Sequence, residues 1–284
     1  LKIEQRGIFP FLFANFTNQK TKIMELSEIK VIAHRGWSAR YPQNSFSAVK
    51  FAFERNPYGI EVDIVMTKNL MPVLSHDPFA DWSYISAKEK YSHEKEKFAN
   101  FFQLNSRTLT RLLHTTGEEI PHLPDFLHFM QMNTFRNGFF TNLYLDLKSE
   151  PELYNQFYPQ PDVYAKVICD YVKPVAERIP IILMSADLNL LRELAKRTRK
   201  IRLFYVADDA PERILKEKIY KRLSGIALNF RHWTNELADI FERDGKEVNL
   251  WTINRREDYE KLPNYRFNAV TTDYPSANLW LADN

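Results

Sequence analysis

The chain has 284 residues, 44% of them hydrophobic, enough for one large barrel or two ordinary domains around a sizeable core. Lys and Arg outnumber Asp and Glu by only 39 to 36, which is no electrostatic footprint for nucleic acid. A single cysteine, Cys169, excludes an intrachain disulfide framework and thiolate metal clusters, and no run reaches the roughly 18 apolar residues of a membrane span.

Residues 1–28 read as a poorly specified N-terminal arm. Its apolar run Ile8-Phe9-Pro10-Phe11-Leu12-Phe13-Ala14 follows Lys2 and Arg6 in the manner of a signal-peptide core. The run is short, contains Pro10 and lacks a small-x-small cleavage pattern, so the arm is expected to pack on the fold through its phenylalanines. The compartment is left open between cytoplasm and export.

From residue 29 to 284 a strand-like run followed by a helix-like run recurs. Strands are predicted at 30–34, 60–65, 143–148, 181–185, 201–206, 225–229, 248–253 and 269–273. Helices are predicted at 45–55, 163–176, 188–197, 211–221, 235–244 and 256–262, with Cys169 a packed small hydrophobe on the second of these. Eight parallel strands with helical crossovers make an α/β TIM (β/α)8 barrel, whose sites lie at the C-terminal strand ends.

The spacing breaks once, after the second strand. Residues 71–76 read as a short hairpin extending the barrel wall, and 78–120 as an insertion near the mouth. Within it, the charged and aromatic stretch 81–106 reads as a solvated helix face, and 123–132 as the missing crossover helix, entered at Pro124.

The chemistry concentrates in the first half. Glu61 and Asp63 lie two apart in Gly59-Ile60-Glu61-Val62-Asp63-Ile64-Val65 and therefore share a strand face. Such a pair can be the solvated face of a half-buried strand, but Ile60, Val62, Ile64 and Val65 make this strand apolar. Like charges this close call for a cation between them, and oxygen donors suit a hard one. On the third strand, Leu145-Asp146-Leu147-Lys148 puts Tyr144, Asp146 and Lys148 on one face. His34-Arg35-Gly36 closes the first strand and Ser75-His76-Asp77 ends the hairpin. Two histidines, an arginine and a divalent cation are the equipment for cleaving a phosphate diester.

The ordered set His34-Arg35-Gly36, Pro42-Gln43-Asn44-Ser45, Glu61-Val62-Asp63, Ser75-His76-Asp77, Trp251-Thr252-Ile253-Asn254 and Thr272-Asp273-Tyr274-Pro275 resembles the glycerophosphodiester phosphodiesterases. That family belongs to the phosphatidylinositol phospholipase C-like superfamily. The resemblance spans about Ile32 to Pro275 and implies a TIM barrel. It implies an enzyme that uses Ca²⁺ or Mg²⁺ to split a small glycerophosphodiester into glycerol 3-phosphate and an alcohol. Carried over, His34 and His76 are the acid/base pair, and Arg35 and Lys148 hold the phosphate. Glu61, Asp63 and Asp146 bind the metal. Apart from the resemblance, Trp251 ends a later strand, which leaves two readings: packing on the alcohol or glycerol part, or a buried barrel tryptophan.

Two positions depart from the family pattern. Gln43 stands where a ligand Glu is usual, so its amide oxygen becomes a candidate ligand with one charge fewer. Asp146 replaces a longer Glu, as in sphingomyelinase D-type phospholipases. Two rivals follow: a phospholipase D-like lyase that releases cyclic phosphate, and a catalytically silent phosphate-ligand binder. A lipid substrate would need an apolar ledge, for which Phe79, Trp82, Tyr84, Phe98, Phe101 and Phe102 are the candidates. Asp273 is a candidate structural partner for Arg35 or Lys148. Oligomeric state is not fixed by these residues.

Overall fold

Alternating strands and helices close on themselves in the computed structural model, which describes residues 29–79, 84–86, 100–109, 112–114, 116–134 and 141–276. The arm of residues 1–28, with its expected packing, lies outside the described residues.

The elements are β1 (Val31–Ala33), α1 (Phe46–Phe53), β2 (Gly59–Met66), β3 (Pro72–Leu74), β4 (Tyr84–Ser86), α2 (Ser106–Leu109), β5 (Leu112–His114), α3 (Leu123–Thr134) and β6 (Asn142–Leu147). They continue as α4 (Pro161–Val172), β7 (Ile181–Ser185), α5 (Leu188–Arg197), β8 (Arg202–Ala207), β9 (Gly225–Asn229), α6 (Asn235–Arg243), β10 (Glu247–Trp251), α7 (Arg256–Glu260) and β11 (Ala269–Thr272). The strand order β1-β11-β10-β9-β8-β7-β6-β2 returns to β1 through the β1–β2 pairing, and every step is parallel. All eight predicted strands are present, and the barrel is the expected TIM architecture. Among the described residues no helix is long and apolar enough to cross a membrane.

The helices form where the sequence repeats apolar residues at helical spacing. Leu190, Leu191 and Leu194 of α5, and Leu237, Ala238 and Phe241 of α6, are buried against the sheet at i, i+1 and i+4. Each large side chain so buried contributes roughly 1.5–3 kcal/mol before entropy is subtracted. Side-chain caps start these helices: Ser45 Oγ accepts from Ala48 N, Asp187 Oδ1 from Asn189 N and Thr234 Oγ1 from Leu237 N. Cys169 is buried on α4, as a small hydrophobe.

The helix predicted at 211–221 is a correction. Two 3₁₀ segments, Pro211–Lys216 and Lys218–Arg222, replace it, broken at the extended Glu217. The buried anchors are Pro211, Ile214, Ile219 and Tyr220. A gap of five residues between Ile214 and Ile219 does not fit one α-helical face, so the chain takes i→i+3 bonds and restarts.

The solvated helix expected across 81–106 is a second correction. Tyr84–Ser86 is instead a strand, antiparallel to Leu112–His114. Phe101, offered above as part of an apolar ledge, is fully buried with Val65, Val73, Leu109 and Tyr158 in a small satellite core. Trp82 and Phe98 lie outside the described residues. The residue 71–76 hairpin is seen as β3, antiparallel to the end of β2.

Inside the barrel, Ile32, Tyr144, Ile182, Phe204, Ala227 and Ala269 fill the lower layers. Gly225 makes room for Phe204, because a Cβ there would come within 2.4 Å of its ring. Above this plug the barrel opens, and the polar residues lie around the opening.

Candidate active site

The turn after β1 sets the first group of residues. Arg35 (φ 55°) and Gly36 (φ 80°) are successive left-handed residues, and a Cβ on Gly36 would stand 2.6 Å from the Ala48 carbonyl carbon. Asn44 N donates to Arg35 O at 3.0 Å and pins the loop across β2. Arg35 is thereby aimed over the neighbouring strand. Its backbone N–H donates to Glu61 Oε2 at 3.0 Å, and its Nε lies 3.0 Å from Asp63 Oδ2 in a charge contact that is not an aligned hydrogen bond. The guanidinium also donates to Gln43 Oε1, so Gln43 rests on Arg35 at the edge of the carboxylate cluster.

Asp63 is the hub. Asn44 Nδ2 donates to its Oδ2 at 2.9 Å, while Asp63 N donates back to Asn44 Oδ1 at 3.0 Å. Lys148 Nζ reaches Asp63 Oδ1 at 2.9 Å and Asp146 Oδ2 at 2.6 Å. Burial works against the charge on Asp63, yet Lys148, Arg35 and the two histidines outweigh it and hold this carboxyl well below the usual range. Burial likewise works against the Lys148 ammonium, and Asp146 and Asp63 more than restore it.

Glu61 is the opposite case. It is 3% exposed, and burial together with Asp63 and Asp146 raises its carboxyl well above the usual range. Glu61, Asp63 and Asp146 each present an oxygen within 4.8 Å of the others. Three convergent carboxylates, one of them short of positive charge, fit a hard divalent cation. The cluster is compatible with Ca²⁺ and with Mg²⁺, and its chemistry does not choose between them.

The two histidines flank this cluster. His34 Nδ1 lies 2.6 Å from Asp273 Oδ1, and His76 Nδ1 lies 3.0 Å from Asp77 Oδ1. In both, a carboxylate at Nδ1 holds the proton on that nitrogen and leaves Nε2 for the pocket. Asp273 also accepts from Ser38 Oγ at 2.9 Å and from Asn254 Nδ2 at 2.5 Å. Burial raises its carboxyl, but these donors and His34 outweigh that and hold it below the usual range. Asp273 therefore belongs to His34, and its expected pairing with Arg35 or Lys148 is corrected. The turn after β1 carries His34 toward β11, whereas Arg35 and Lys148 are engaged by β2.

Asn44, Asn254 and Ser38 are the residues that sequence reasoning missed as individual contributors. The signal available for Asn44 was its suitability for a left-handed turn, since it takes φ 59°. Asn254 bridges two segments, accepting from Thr272 Oγ1 and Asp273 N at 2.9 Å each.

The two histidines, Arg35, Lys148 and the three carboxylates border one cavity of about 130 Å³ at the barrel mouth, while Gln43, Asn44, Asp77, Asn254 and Asp273 stand behind them and do not line it. Its lining joins His34, Arg35, Glu61, Asp63, His76, Asp146, Lys148 and Trp251 in one space. Tyr144 Oη, Asn249 Oδ1 and Trp251 Nε1 are buried without an aligned partner among the described residues, although the Asn249 side chain bears on the Tyr144 phenol. A wider groove of about 390 Å³ leaves the same centre past His76, Lys148 and Trp251.

The family model described as "Glycerophosphoryl diester phosphodiesterase family" matches residues 34–277. A glycerophosphodiester phosphodiesterase of Caldanaerobacter subterraneus subsp. tengcongensis is 26% identical over 252 residues, covering 86% of this chain and 94% of that protein. An Oleispira antarctica phosphodiesterase, solved with the product sn-glycerol-3-phosphate, superposes with a TM-score of 0.72 at 19% identity, covering 88% of this chain and 95% of that one. A glycerophosphodiester phosphodiesterase from Parabacteroides distasonis gives a TM-score of 0.67 at 21% identity, covering 87% and 93%.

Proposed function

The chain belongs to the glycerophosphoryl diester phosphodiesterase family of phosphoric diester hydrolases, and on that premise we propose that its barrel mouth hydrolyses glycerophosphodiesters to glycerol 3-phosphate and an alcohol. The observation that carries this reading is the convergence, on one cavity, of three buried carboxylates and two histidines that each have a carboxylate behind Nδ1. The Oleispira antarctica product complex, on the same fold, supports the substrate class.

Glu61, Asp63 and Asp146 would hold the divalent cation, and Gln43 would join them only by releasing its amide oxygen from Arg35. When bound, the cation polarises a phosphoryl oxygen and lowers the pKa of a bound oxygen nucleophile. Arg35 keeps guanidinium donors beyond those used by Asp63 and Gln43, and these face the phosphate. Lys148, held by two carboxylates, adds a fixed positive charge at the same place. His34 Nε2 takes the proton of the attacking water as its oxygen bonds to phosphorus. His76, carrying a proton on Nε2, gives it to the alkoxide as the bond from phosphorus to the leaving oxygen breaks. Burial lowers the pKa of His76, which makes it a stronger proton donor. The glycerol part occupies the axial cavity, whose lining includes Tyr144, Asn249 and Trp251, and a small side-chain shift there brings their buried polar atoms to its hydroxyls.

The test is turnover of a panel of glycerophosphodiesters and lysophospholipids with Ca²⁺, Mg²⁺ or chelator, with products identified by phosphorus NMR. Glycerol 3-phosphate formed only with the cation is the expected result. A persistent cyclic phosphate would convert the reading to a lyase, and no turnover of any ester would refute it.

A further inference from the structure

Lys148 is the first residue beyond β6, and its backbone is held from two sides. Towards β2, its N–H donates to Ile64 O at 3.0 Å. Towards β7, the carbonyl of Leu147 before it accepts from Ser185 Oγ at 2.7 Å, and Ser149 Oγ after it donates to Asp187 Oδ2 at 2.7 Å. Asp187 N in turn donates to Ser185 Oγ at 3.2 Å, which joins the two contacts into one clamp. Ser149, Ser185 and Asp187 are all buried, and Asp187 lines neither the cavity nor the groove beside it.

Asp187 also starts α5, but capping does not account for its carboxylate. One oxygen, Oδ1, accepts from Asn189 N at 2.8 Å, and an Asn would cap as well. The other, Oδ2, accepts from both Ser149 Oγ and Tyr154 Oη, at 2.7 and 2.5 Å. With its Oδ1 on the helix, an Asn would turn an NH₂ towards these hydroxyls, and an NH₂ accepts nothing. The three donors are neutral, so this carboxylate is buried on hydroxyls and a backbone N–H, a costly arrangement for a cap alone. What it adds is a hold on Ser149 and Tyr154, in the chain that leaves Lys148.

We propose that Asp187 is a positioning residue for the hydrolysis, fixing the Lys148 backbone through Ser149 so that the ammonium stays between Asp63 and Asp146. This rests on the hydrolase reading above, in which Lys148 faces the phosphate, and adds a residue that touches no substrate. The lysine stem is flexible, so its Nζ is only as well placed as the backbone that carries it. A misplacement of about 1 Å is enough to cost about 10²-fold in rate.

Asp187→Asn and Ser149→Ala cut the link by different routes, since the first keeps the helix cap and the second keeps the carboxylate. With the cation saturating, each should lower kcat for a glycerophosphodiester about tenfold and leave KM and cation affinity within about twofold. In a Lys148→Met background neither should lower kcat by more than about a further twofold, because the group being positioned is gone. Bis(p-nitrophenyl) phosphate, with its better leaving group, keeps that background measurable. A role confined to folding gives equal losses in both backgrounds, or a cation affinity that falls with kcat. Either result, or a normal kcat in either single variant, overturns the positioning role and leaves the hydrolase reading standing. No turnover of any ester by the wild-type protein overturns both.

Discussion

The two sides of the barrel mouth are built from different materials. β1, β2 and β6 and the loops after them supply His34, Arg35, Glu61, Asp63, Asp146 and Lys148, each tied to another charged group of the set except His34, held by Asp273, and Glu61, held by the Arg35 backbone N–H. β7 to β10 supply Met184, Val206, Ala227, Asn249 and Trp251, which are apolar or neutral and make no ion pair. On the first side, positions are fixed by a network whose members hold one another's charge, as Lys148 does for Asp63. On the second, Asn249 and Trp251 keep buried polar atoms with no aligned partner among the described residues. On the proposed function, the first side serves the chemistry and the second the grip. Substitutions on the first should therefore act on kcat, and those on the second on KM.

The largest effect is expected at the histidines. His34→Ala or His76→Ala should lower kcat by about 10² to 10⁴ with the cation saturating, and should leave the melting temperature nearly unchanged. Both side chains are partly exposed at the open mouth, at 19% and 36%, so their loss opens no sealed cavity. Steady-state kinetics beside a melting curve checks both halves. A normal kcat in either variant would remove that histidine from the acid/base role. Asp273→Asn should cost less, roughly 10 to 100-fold, because it loosens His34 without deleting it.

Within the charged side the two carboxylates of β2 should separate in stability. Asp63 balances Arg35 and Lys148, so Asp63→Asn in chelator leaves Arg35 without a carboxylate and Lys148 with Asp146 alone, and should cost about 3 kcal/mol. Its folded pKa is depressed, so its contribution is present above the unfolded carboxylate pKa and is lost as pH falls through the folded value. Glu61 has the opposite sign. Its folded pKa is raised, so it weakens the fold as pH rises past the unfolded pKa, and Glu61→Gln in chelator should stabilise at neutral pH. Urea unfolding of both variants decides. Equal destabilisation would mean that Glu61 is already compensated and that the cluster does not wait for a cation.

The same division governs what was legible in the sequence. The barrel was readable because buried parallel strands are continuous apolar runs, and the crossovers repeat at helical spacing. The carboxylate cluster was readable from i, i+2 pairs on single strands, which the alternation of side chains turns into geometry. The His34–Asp273 pair was misassigned because 239 residues separate its members, and only barrel closure between β1 and β11 joins them. The 3₁₀ crossover was lost because Ile214 and Ile219 mimic a helical stripe until their spacing is counted against 3.6. Phe101 was misread because a composition rich in aromatics does not tell a ledge from a satellite core.

A smaller effect concerns Gln43, whose amide oxygen accepts from Arg35. Gln43→Glu adds a carboxylate where Arg35 now meets an amide. Cation affinity should rise by roughly tenfold, since charge count tunes hard-cation sites. The kcat need not follow, because a more neutralised metal is a weaker Lewis acid. Titration calorimetry on both proteins reads this directly. Unchanged affinity would leave Glu61, Asp63 and Asp146 as the complete protein share of the site.

The smallest effect is expected on the neutral side, at Asn249, and it inverts the usual link between stability and function. Asn249 is 2% exposed and lines the axial cavity beside Tyr144, and its Oδ1 has no aligned partner among the described residues. A buried acceptor left unmade costs about 1–3 kcal/mol. Asn249→Leu, of similar volume, removes that cost and should raise the melting temperature. It also removes an acceptor for a glycerol hydroxyl, so KM for a glycerophosphodiester should rise about tenfold, the worth of one neutral hydrogen bond, while kcat holds. Bis(p-nitrophenyl) phosphate, which has no glycerol, supplies the control, and its KM should not rise. If the variant is less stable and both substrates suffer alike, Asn249 is a packing residue, and the division of the mouth into chemistry and grip fails at its neutral half.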